Sequence, residues 1–412
     1  MSVQRLSSWC IPVLAGMLWS GPSVGQELVP DQPAGWLVRA GTLWSDGDGF
    51  VAGGGVLLRD GRITAVGPDL EAPDDVEVID VPDGFILPGL IEAHSQTGLH
   101  GDGVGWDTDE DTRPITADLH ALDAFYAFAA DVASARRSGI TTLLATPGGK
   151  NLIGGSGVLI KTAPAVGDEN VVRQPAVLKM SLGDEPKRTN AAPKTRMGEV
   201  ALLREHLTRA RKYEEDRNQA EQNGERPAVD AEFETTAALL RRELPALVQA
   251  YTTKDIANAL RLSDEFGFDV ILAYATQAHL IAGELARRDV PVVLASIKGL
   301  WYRYEKESFN ERNAAQLLDA GVRIALQLGE GNPYGSGDLL FNAGYLLKHG
   351  LAREDALRAV TSWPAELLGV ADRLGRLRPG MDGDVVVLSG PPFDPRSRVL
   401  HVFINGQRMP GE

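Results

Sequence analysis

Cysteine is almost absent from this 412-residue chain, and its single copy is Cys10. The segment around it is typical of a secretory signal peptide: Arg5 is followed by an apolar run from Trp9 to Trp19, and small residues end at Gly25. We therefore expect residues 1–25 to be removed and the protein to be secreted or periplasmic. The mature chain would then contain no disulfide, no thiolate metal ligand and no cysteine nucleophile.

Positive charge and long apolar runs are also scarce. Lysine and arginine number 41 against 56 acidic residues, which gives a net charge of −15. An acidic chain is poorly suited to nucleic acid or to anionic membrane surfaces. The apolar run near the N-terminus is too short to cross a bilayer and has no counterpart further along the chain, so no membrane span is predicted. A small molecule is the expected binding partner.

The pattern of apolar and polar residues in the remaining sequence changes twice. Residues 26–87 contain short alternating strands with turns at Asp48-Gly49 and Asp60-Gly61, and residues 376–412 repeat this pattern. Between them, residues 88–375 alternate apolar strands with amphipathic helices, which predicts a parallel α/β sheet. At this length a (β/α)₈ barrel fits best, with a small composite β domain formed by both chain ends.

Particular elements follow from the same patterns. The highly charged stretch from Arg204 to Arg242 predicts a solvated helical hairpin or an extended connection, and the glycines between Gly154 and Gly157 predict a tight turn at the barrel mouth. The predicted strands are Thr141–Thr146, Ala246–Tyr251, Val270–Ala275, Val290–Ala295 and Val322–Leu328. The predicted helices are Asp123–Ser138, Gly198–Asp216, Lys254–Phe266, Ala278–Arg288, Glu311–Ala320 and Leu339–His349.

Several motifs carry a family resemblance. The stretch "ILPGLIEAH" from Ile86 to His94 and the closing "TSWPAELLGVADRLGRLRPGMDGDVVVLSG" from Thr361 to Gly390 are the most specific. With Asn151–Thr162, Leu178–Arg188 and Thr195–Tyr213 between them, the chain resembles the amidohydrolase superfamily, in particular its imidazolonepropionase-like branch. The resemblance implies a barrel that holds one or two divalent metals and hydrolyses carbon–nitrogen bonds of small molecules other than ordinary peptide bonds.

The ligand positions implied by the resemblance are largely substituted. The family's His-x-His is represented by His94 and Gln96, and the histidines of the fifth and sixth strands are replaced by Gln249 and Tyr274. At the eighth strand, Gly329 or the adjacent Glu330 occupies the place of the expected aspartate. An amide oxygen is a weak metal donor and a phenol ligates only after deprotonation, so these replacements predict a degenerate metal centre.

Two arrangements remain open for that centre. A single zinc or manganese ion could be held by His94, Asp184 and Glu330, together with His100 or His279, because three protein ligands suffice for a catalytic metal. Alternatively, the site holds no metal. If the protein is active, His94 would serve as ligand or general base, and Asp184 and Glu330 as ligand and proton acceptor.

Two functions are compatible with this pattern. One is a hydrolase acting on carbon–nitrogen bonds with weak, altered or absent activity. The other is a non-catalytic binding or scaffolding subunit, a pseudoenzyme that forms a homodimer or a heterodimer with an intact paralogue. The predicted fold supports both, because fold alone does not specify function.

Overall fold

The computed structural model describes residues 33–100, 107–295, 310–328 and 339–410. It contains two sheets of eight strands each. In the described ranges, no helix combines the length and apolar character needed to cross a membrane.

The first sheet is built from both ends of the chain. Its order is β16-β15-β14-β5-β1-β3-β4, with β2 paired to β1. The predicted turn at Asp60-Gly61 joins β3 to β4, and both residues have positive φ. Trp36 and Phe403 contact edge to face at 5.7 Å in its core. The strands are β1 Gly35–Ser45, β2 Gly49–Ala52, β3 Gly54–Arg59, β4 Arg62–Pro68, β5 Glu77–Pro88, β14 Val385–Leu388, β15 Val399–Ile404 and β16 Gln407–Arg408.

The second sheet forms a nearly closed barrel with strands in chain order. Its first and last strands are bridged where the Leu328 amide donates to the Glu92 carboxylate at 3.1 Å. Together the two sheets confirm the predicted fold class, a (β/α)₈-type barrel with a composite sheet from the chain ends. The strands are β6 Leu90–Ser95, β7 Ile140–Ala145, β8 Ile153–Lys161, β9 Val171–Ser181, β10 Ala246–Ala250, β11 Val270–Tyr274, β12 Val292–Leu294 and β13 Ile324–Leu326.

One barrel strand departs from the regular pattern. Strand β8 is antiparallel to both β7 and β9, and these three strands are joined without an α-helix, with one short 3₁₀ turn at Gly167–Asn170 between β8 and β9. The expectation of a tight turn at Gly154–Gly157 was wrong, because these glycines lie within β8. A side chain at Gly155 would collide with the backbone oxygen of Leu119, and Ser156 forms a bridge with His120. The glycines therefore allow the preceding loop to pack directly on the strand.

The helices surround the barrel largely as predicted. The charged stretch from Arg204 to Arg242 covers most of α2, the connection and α3, which pack together as a helical hairpin and confirm that expectation. The helix predicted from Asp123 is shorter and begins at Ala130, because residues 121–124 form a separate 3₁₀ turn. The helices are α1 Ala130–Arg137, α2 Arg196–Gln222, α3 Ala231–Leu240, α4 Thr253–Phe266, α5 Ala282–Arg287, α6 Asn313–Asp319, α7 Leu339–Leu347, α8 Arg353–Arg358 and α9 Ser362–Leu367.

A buried ion cluster joins the barrel to the composite sheet. Lys161, the last residue of β8, donates from Nζ to Asp382 at 2.8 Å and to Asp384 at 2.9 Å. It also contacts the side chain of Asn405. Asp382 accepts a further bond from Arg373 at 2.9 Å. Two carboxylates and an amide oxygen thus contact the buried ammonium, and Arg373 pairs with one of the carboxylates, so the buried charges are paired and hydrogen-bonded.

Candidate functional site

Five polar side chains gather at the carboxyl ends of the barrel strands. His94 comes from β6, Lys179 from β9, Gln249 from β10, Tyr274 from β11, and Gln327 directly follows β13. All five residues are buried. Active sites of this architecture lie at the carboxyl ends of the strands, where successive parallel strands bring their last residues together. We call this group the barrel centre.

His94 is held as a neutral imidazole in the barrel centre. Its Nδ1 donates to Oε1 of Gln327, and its ring meets Tyr274 edge to face at 5.6 Å. Burial, with the charge of Lys179, lowers the pKa of His94 to about 3. Within the described ranges, Nε2 has no hydrogen-bond partner. The lone pair of Nε2 is therefore available to a ligand, but the imidazole is a weak base.

Lys179 and Gln249 form a second group of contacts. The lysine Nζ donates to Gln249 Oε1 at 2.8 Å, to Ser181 Oγ at 3.1 Å and to the Gly148 carbonyl at 3.3 Å. The Gln249 Nε2 donates to Glu185 Oε2 at 2.6 Å and to Tyr251 Oη at 3.1 Å. Both ends of the Gln249 amide are thus engaged. Its oxygen already accepts from the Lys179 ammonium group. A metal ion bound to this oxygen would therefore lie next to a positive charge.

The other substituted positions lie nearby. Tyr274 packs on Tyr251 with ring centroids 4.9 Å apart, and its backbone has a positive φ of 69°. Gln96 is buried in the turn after β6, where its carbonyl accepts from Leu99 at 3.0 Å. Gly329 and Glu330 lie outside the described residues. Tyr251 therefore contacts both Gln249 and Tyr274 of the barrel centre.

Asp184 lies away from the barrel centre. Its side chain is 53% exposed and pairs with Arg196 at 3.0 Å and with Lys187. Burial acts in the opposite direction, but the Lys187 bond and the Arg196 charge hold the pKa of Asp184 below its usual value. The next residue, Glu185, is the acid that reaches Gln249. The described contacts thus bring Glu185, and not Asp184, into the network.

The two further candidate histidines have other contacts. His100 donates from Nδ1 to Asp131 at 3.1 Å, near the start of α1. His279 lies on a short 3₁₀ turn after β11, where its backbone amide donates to Asn313 at 3.0 Å. Neither contact connects these histidines to His94.

Glu92 is a buried acid that the sequence reasoning missed. Burial raises its pKa to about 7, although bonds from the Leu328 amide and from Ser95 act in the opposite direction. Its second oxygen has no hydrogen-bond partner in the described part of the chain. Lys179 was missed as well. In both cases the available signal was a charged residue inside a continuous apolar strand, a position that charged residues rarely occupy without a specific reason.

The described residues do not fit the metal centre that the resemblance implies. Within the ranges that the structure covers, no group of three or more histidine, aspartate and glutamate side chains converges on one point. His94 offers one imidazole nitrogen, whereas Gln249 is engaged with Lys179. A metal with the family's usual charge would also have to share the barrel centre with the Lys179 ammonium.

Comparisons with known proteins agree on one family. Residues 331–409 match the family model described as "Amidohydrolase family". The crystal structure of an amidohydrolase from Thermotoga maritima MSB8 is 33% identical and has a TM-score of 0.87, covering 92% of this chain and 100% of that chain.

Two curated relatives add detail. Amidohydrolase tasK of Hapsidospora irregularis is 27% identical over 95% of this chain and 42% of its own length, so this chain spans less than half of that relative. Imidazolonepropionase of Acidiphilium cryptum is 43% identical over 61 residues, 14% of this chain and 15% of that protein. That match is too short to establish the branch.

Proposed function

Since this chain belongs to the amidohydrolase superfamily, as its sequence predicted, we propose that it binds a small molecule bearing a carbon–nitrogen bond at the barrel centre, with weak, altered or absent hydrolysis. The observation that carries this proposal is the hydrogen bonding of Gln249 between Lys179 and Glu185. An organised set of buried donors and acceptors is what a small polar ligand requires.

Charge at the barrel centre supports ligand binding. In the family, a divalent metal polarises the scissile carbonyl and activates water. Here Lys179 supplies a fixed positive charge, which could interact with a carbonyl or carboxylate oxygen of the ligand. The hydrogen bonds to Gln249, Ser181 and Gly148 hold this ammonium in place before the ligand arrives.

The substituted ligand positions are the main reason for expecting weak hydrolysis, and the low basicity of His94 adds to it. A general base works best when its pKa lies near the working pH. A pKa of about 3 leaves His94 a poor proton acceptor at neutral pH. Glu92 has a suitable pKa of about 7, but one of its oxygens is bonded to the Leu328 amide at the strand junction.

A non-catalytic subunit is the second candidate. The observation that favours it is the length of tasK, because more than half of that relative lies outside the region matched by this chain. A second unit of similar size fits into that remainder. In this alternative the barrel contributes binding or scaffolding beside an intact paralogue. We also propose export, because residues 1–25 have the pattern of a signal peptide.

Metal content and ligand binding test the proposal together. The mature protein is purified without chelators, exposed to zinc or manganese and analysed for elements, and N-acyl amino acids, dipeptides and cyclic imides are screened by thermal shift. We expect no stoichiometric metal, and ligands that stabilise the wild type but not Lys179→Met. Stoichiometric metal that His94→Ala removes, with turnover of a screened compound, would instead establish a rebuilt metal-dependent hydrolase.

A further inference from the structure

A cavity lies outside the barrel, between its helices and the composite sheet. Its volume is about 710 Å³, within the range of small-molecule sites. It is lined by the C-terminal end of α1, one side of α7, the loop before β15 and β15 itself. None of its lining residues belongs to the barrel centre. We call it the junction cavity.

The junction cavity is rich in positive charge, although the chain has a net charge of −15. Arg137, Lys348 and Arg398 line it, and their charged groups form no ion pair or side-chain hydrogen bond in the described part of the chain. The lining acid, Asp394, is already bonded to Arg396 at 2.7 Å. That bond lowers the pKa of Asp394 to about 2. The cations of the cavity are therefore not neutralised by its own acid.

One lining cation is buried rather than exposed. Arg136 is 2% exposed and donates from Nη1 to the Thr162 carbonyl at 2.7 Å. This bond fixes the guanidinium beside the cavity. A buried guanidinium next to solvent-accessible cations gives the cavity a lasting positive potential, because buried charges are screened less by salt than exposed ones.

The rest of the cavity lining includes large apolar side chains. Phe341 is 53% exposed and Leu400 is 43% exposed, and both belong to the large apolar side chains that reach solvent. Phe393 and Tyr345 line the same cavity. Exposed apolar side chains grouped in a concave site are typical of ligand-binding surfaces.

We propose that the junction cavity binds a small amphipathic anion, a carboxylate with an extended apolar body. Its carboxylate pairs with Arg137, Lys348 and Arg398, since guanidinium groups form strong charge-assisted bonds with carboxylates. Its apolar body packs against Phe341 and Leu400. This binding is separate from the proposed function and does not depend on the chemistry of the barrel centre.

Calorimetric titration of the mature protein tests this assignment with three probes. Octanoate carries both features, octanol lacks the charge and acetate lacks the apolar body. We expect octanoate to bind clearly more tightly than the other two. Arg137→Gln with Arg398→Gln should weaken octanoate binding by about tenfold. Phe341→Ser should weaken it as well. Arg226→Gln is the matched control, because Arg226 is exposed on the α2–α3 connection, far along the chain from the cavity lining.

Four results would overturn the proposal. Equal binding of octanoate and octanol would show that the cavity recognises only the apolar body. Unchanged octanoate binding in the double arginine variant would show that the anion binds elsewhere. Sedimentation velocity tests whether a second copy of the chain occupies the cavity. If the wild type is a dimer and Phe341→Ser is a monomer, this face is a dimer interface. Anionic vesicles are tested in parallel, and binding to vesicles but not to free octanoate would reject a soluble ligand.

Discussion

Two buried lysines on neighbouring strands of one barrel make different contacts. Lys161 on β8 is 2% exposed and contacts the carboxylates of Asp382 and Asp384. Lys179 on β9 is 0% exposed, and its Nζ donates to the Gln249 amide oxygen, to a serine hydroxyl and to a backbone carbonyl. Lys161 lies among residues that join the two sheets, whereas Lys179 lies in the barrel centre.

The two lysines therefore differ in what their charges act on. At the junction, paired charges cancel and hold the two sheets together. At the barrel centre, the charge of Lys179 acts on its surroundings, and it contributes with burial to lowering the pKa of His94. A buried charge acts strongly on neighbouring groups, because the surrounding protein screens it less than water does.

Replacing Lys161 should have the largest effect. Lys161→Met would leave Asp382 and Asp384 buried without their shared cation, so we expect a loss of about 4 kcal/mol in the free energy of unfolding. Urea denaturation measures it, with Lys254→Met on the exposed face of α4 as the control. A loss as small as that of the control would mean that the junction does not depend on paired charge.

The protonation of Glu92 should make stability depend on pH. Its pKa in the fold is about 7 against an ordinary 4.5, so the unfolded chain releases this proton first as the pH rises. The stability due to the neutral carboxyl is fully present below about pH 4.5 and is lost by about pH 7.

Glu92→Gln should remove this dependence. Relative to wild type, the variant should gain about 3 kcal/mol in the free energy of unfolding between pH 4 and pH 8. Denaturation curves at four or five pH values across this range provide the measurement. A difference between the two proteins that stays constant with pH would show that Glu92 titrates normally and that the barrel centre tolerates its charge.

The adjacent acids Asp184 and Glu185 should respond differently. Glu185→Ala removes the acceptor of a buried Gln249 amide, which should cost about 1.5 kcal/mol. Asp184→Asn alters a half-exposed ion pair and should cost less, below about 1 kcal/mol. Thermal and urea unfolding of both variants decide the point. The reverse order would place Asp184, rather than Glu185, in the barrel-centre network.

Replacing Lys179 should change stability far less than replacing Lys161. Lys179→Met removes an ammonium whose burial is itself unfavourable, and this gain offsets the lost bonds to within about 1 kcal/mol. The pKa of His94 should rise, because a positive charge that lowers it is gone. Histidine-selective NMR titration follows that pKa. A stability loss as large as that of Lys161→Met would remove the distinction between the two lysines.

The sequence predicted elements that its local pattern determines. The apolar runs that became β7, β10 and β11 were located to within a residue, as was the start of α4. Strand β8 was missed, because its glycines indicate a turn unless the packing of Leu119 against Gly155 is known. Glycine has a local preference, but its use here is a tertiary contact.

The barrel centre could be predicted only in part. His94, Gln249 and Tyr274 were identified as neighbours through the family resemblance, and the structure places Gln249 and His94 in one group with Lys179. The sequence could not predict which of Asp184 and Glu185 reaches the barrel centre, because adjacent residues in a loop can face opposite directions. In the structure, Asp184 pairs with Arg196 of α2, and Glu185 accepts from Gln249. The expectations for Gly329 and Glu330 remain untested.

The pairing of β5 with β14 has a consequence for how the chain is made. Pro88 lies opposite Val385 in this pairing. The composite sheet therefore cannot form completely until β14, β15 and β16 have been synthesised. Contacts between distant parts of a chain slow folding, because a long loop must close before they form. A truncation that removes β14 to β16 would therefore expose an open edge on β5 and leave Trp36 without Phe403. We therefore expect the N-terminal strands to need the C-terminal strands in order to remain folded.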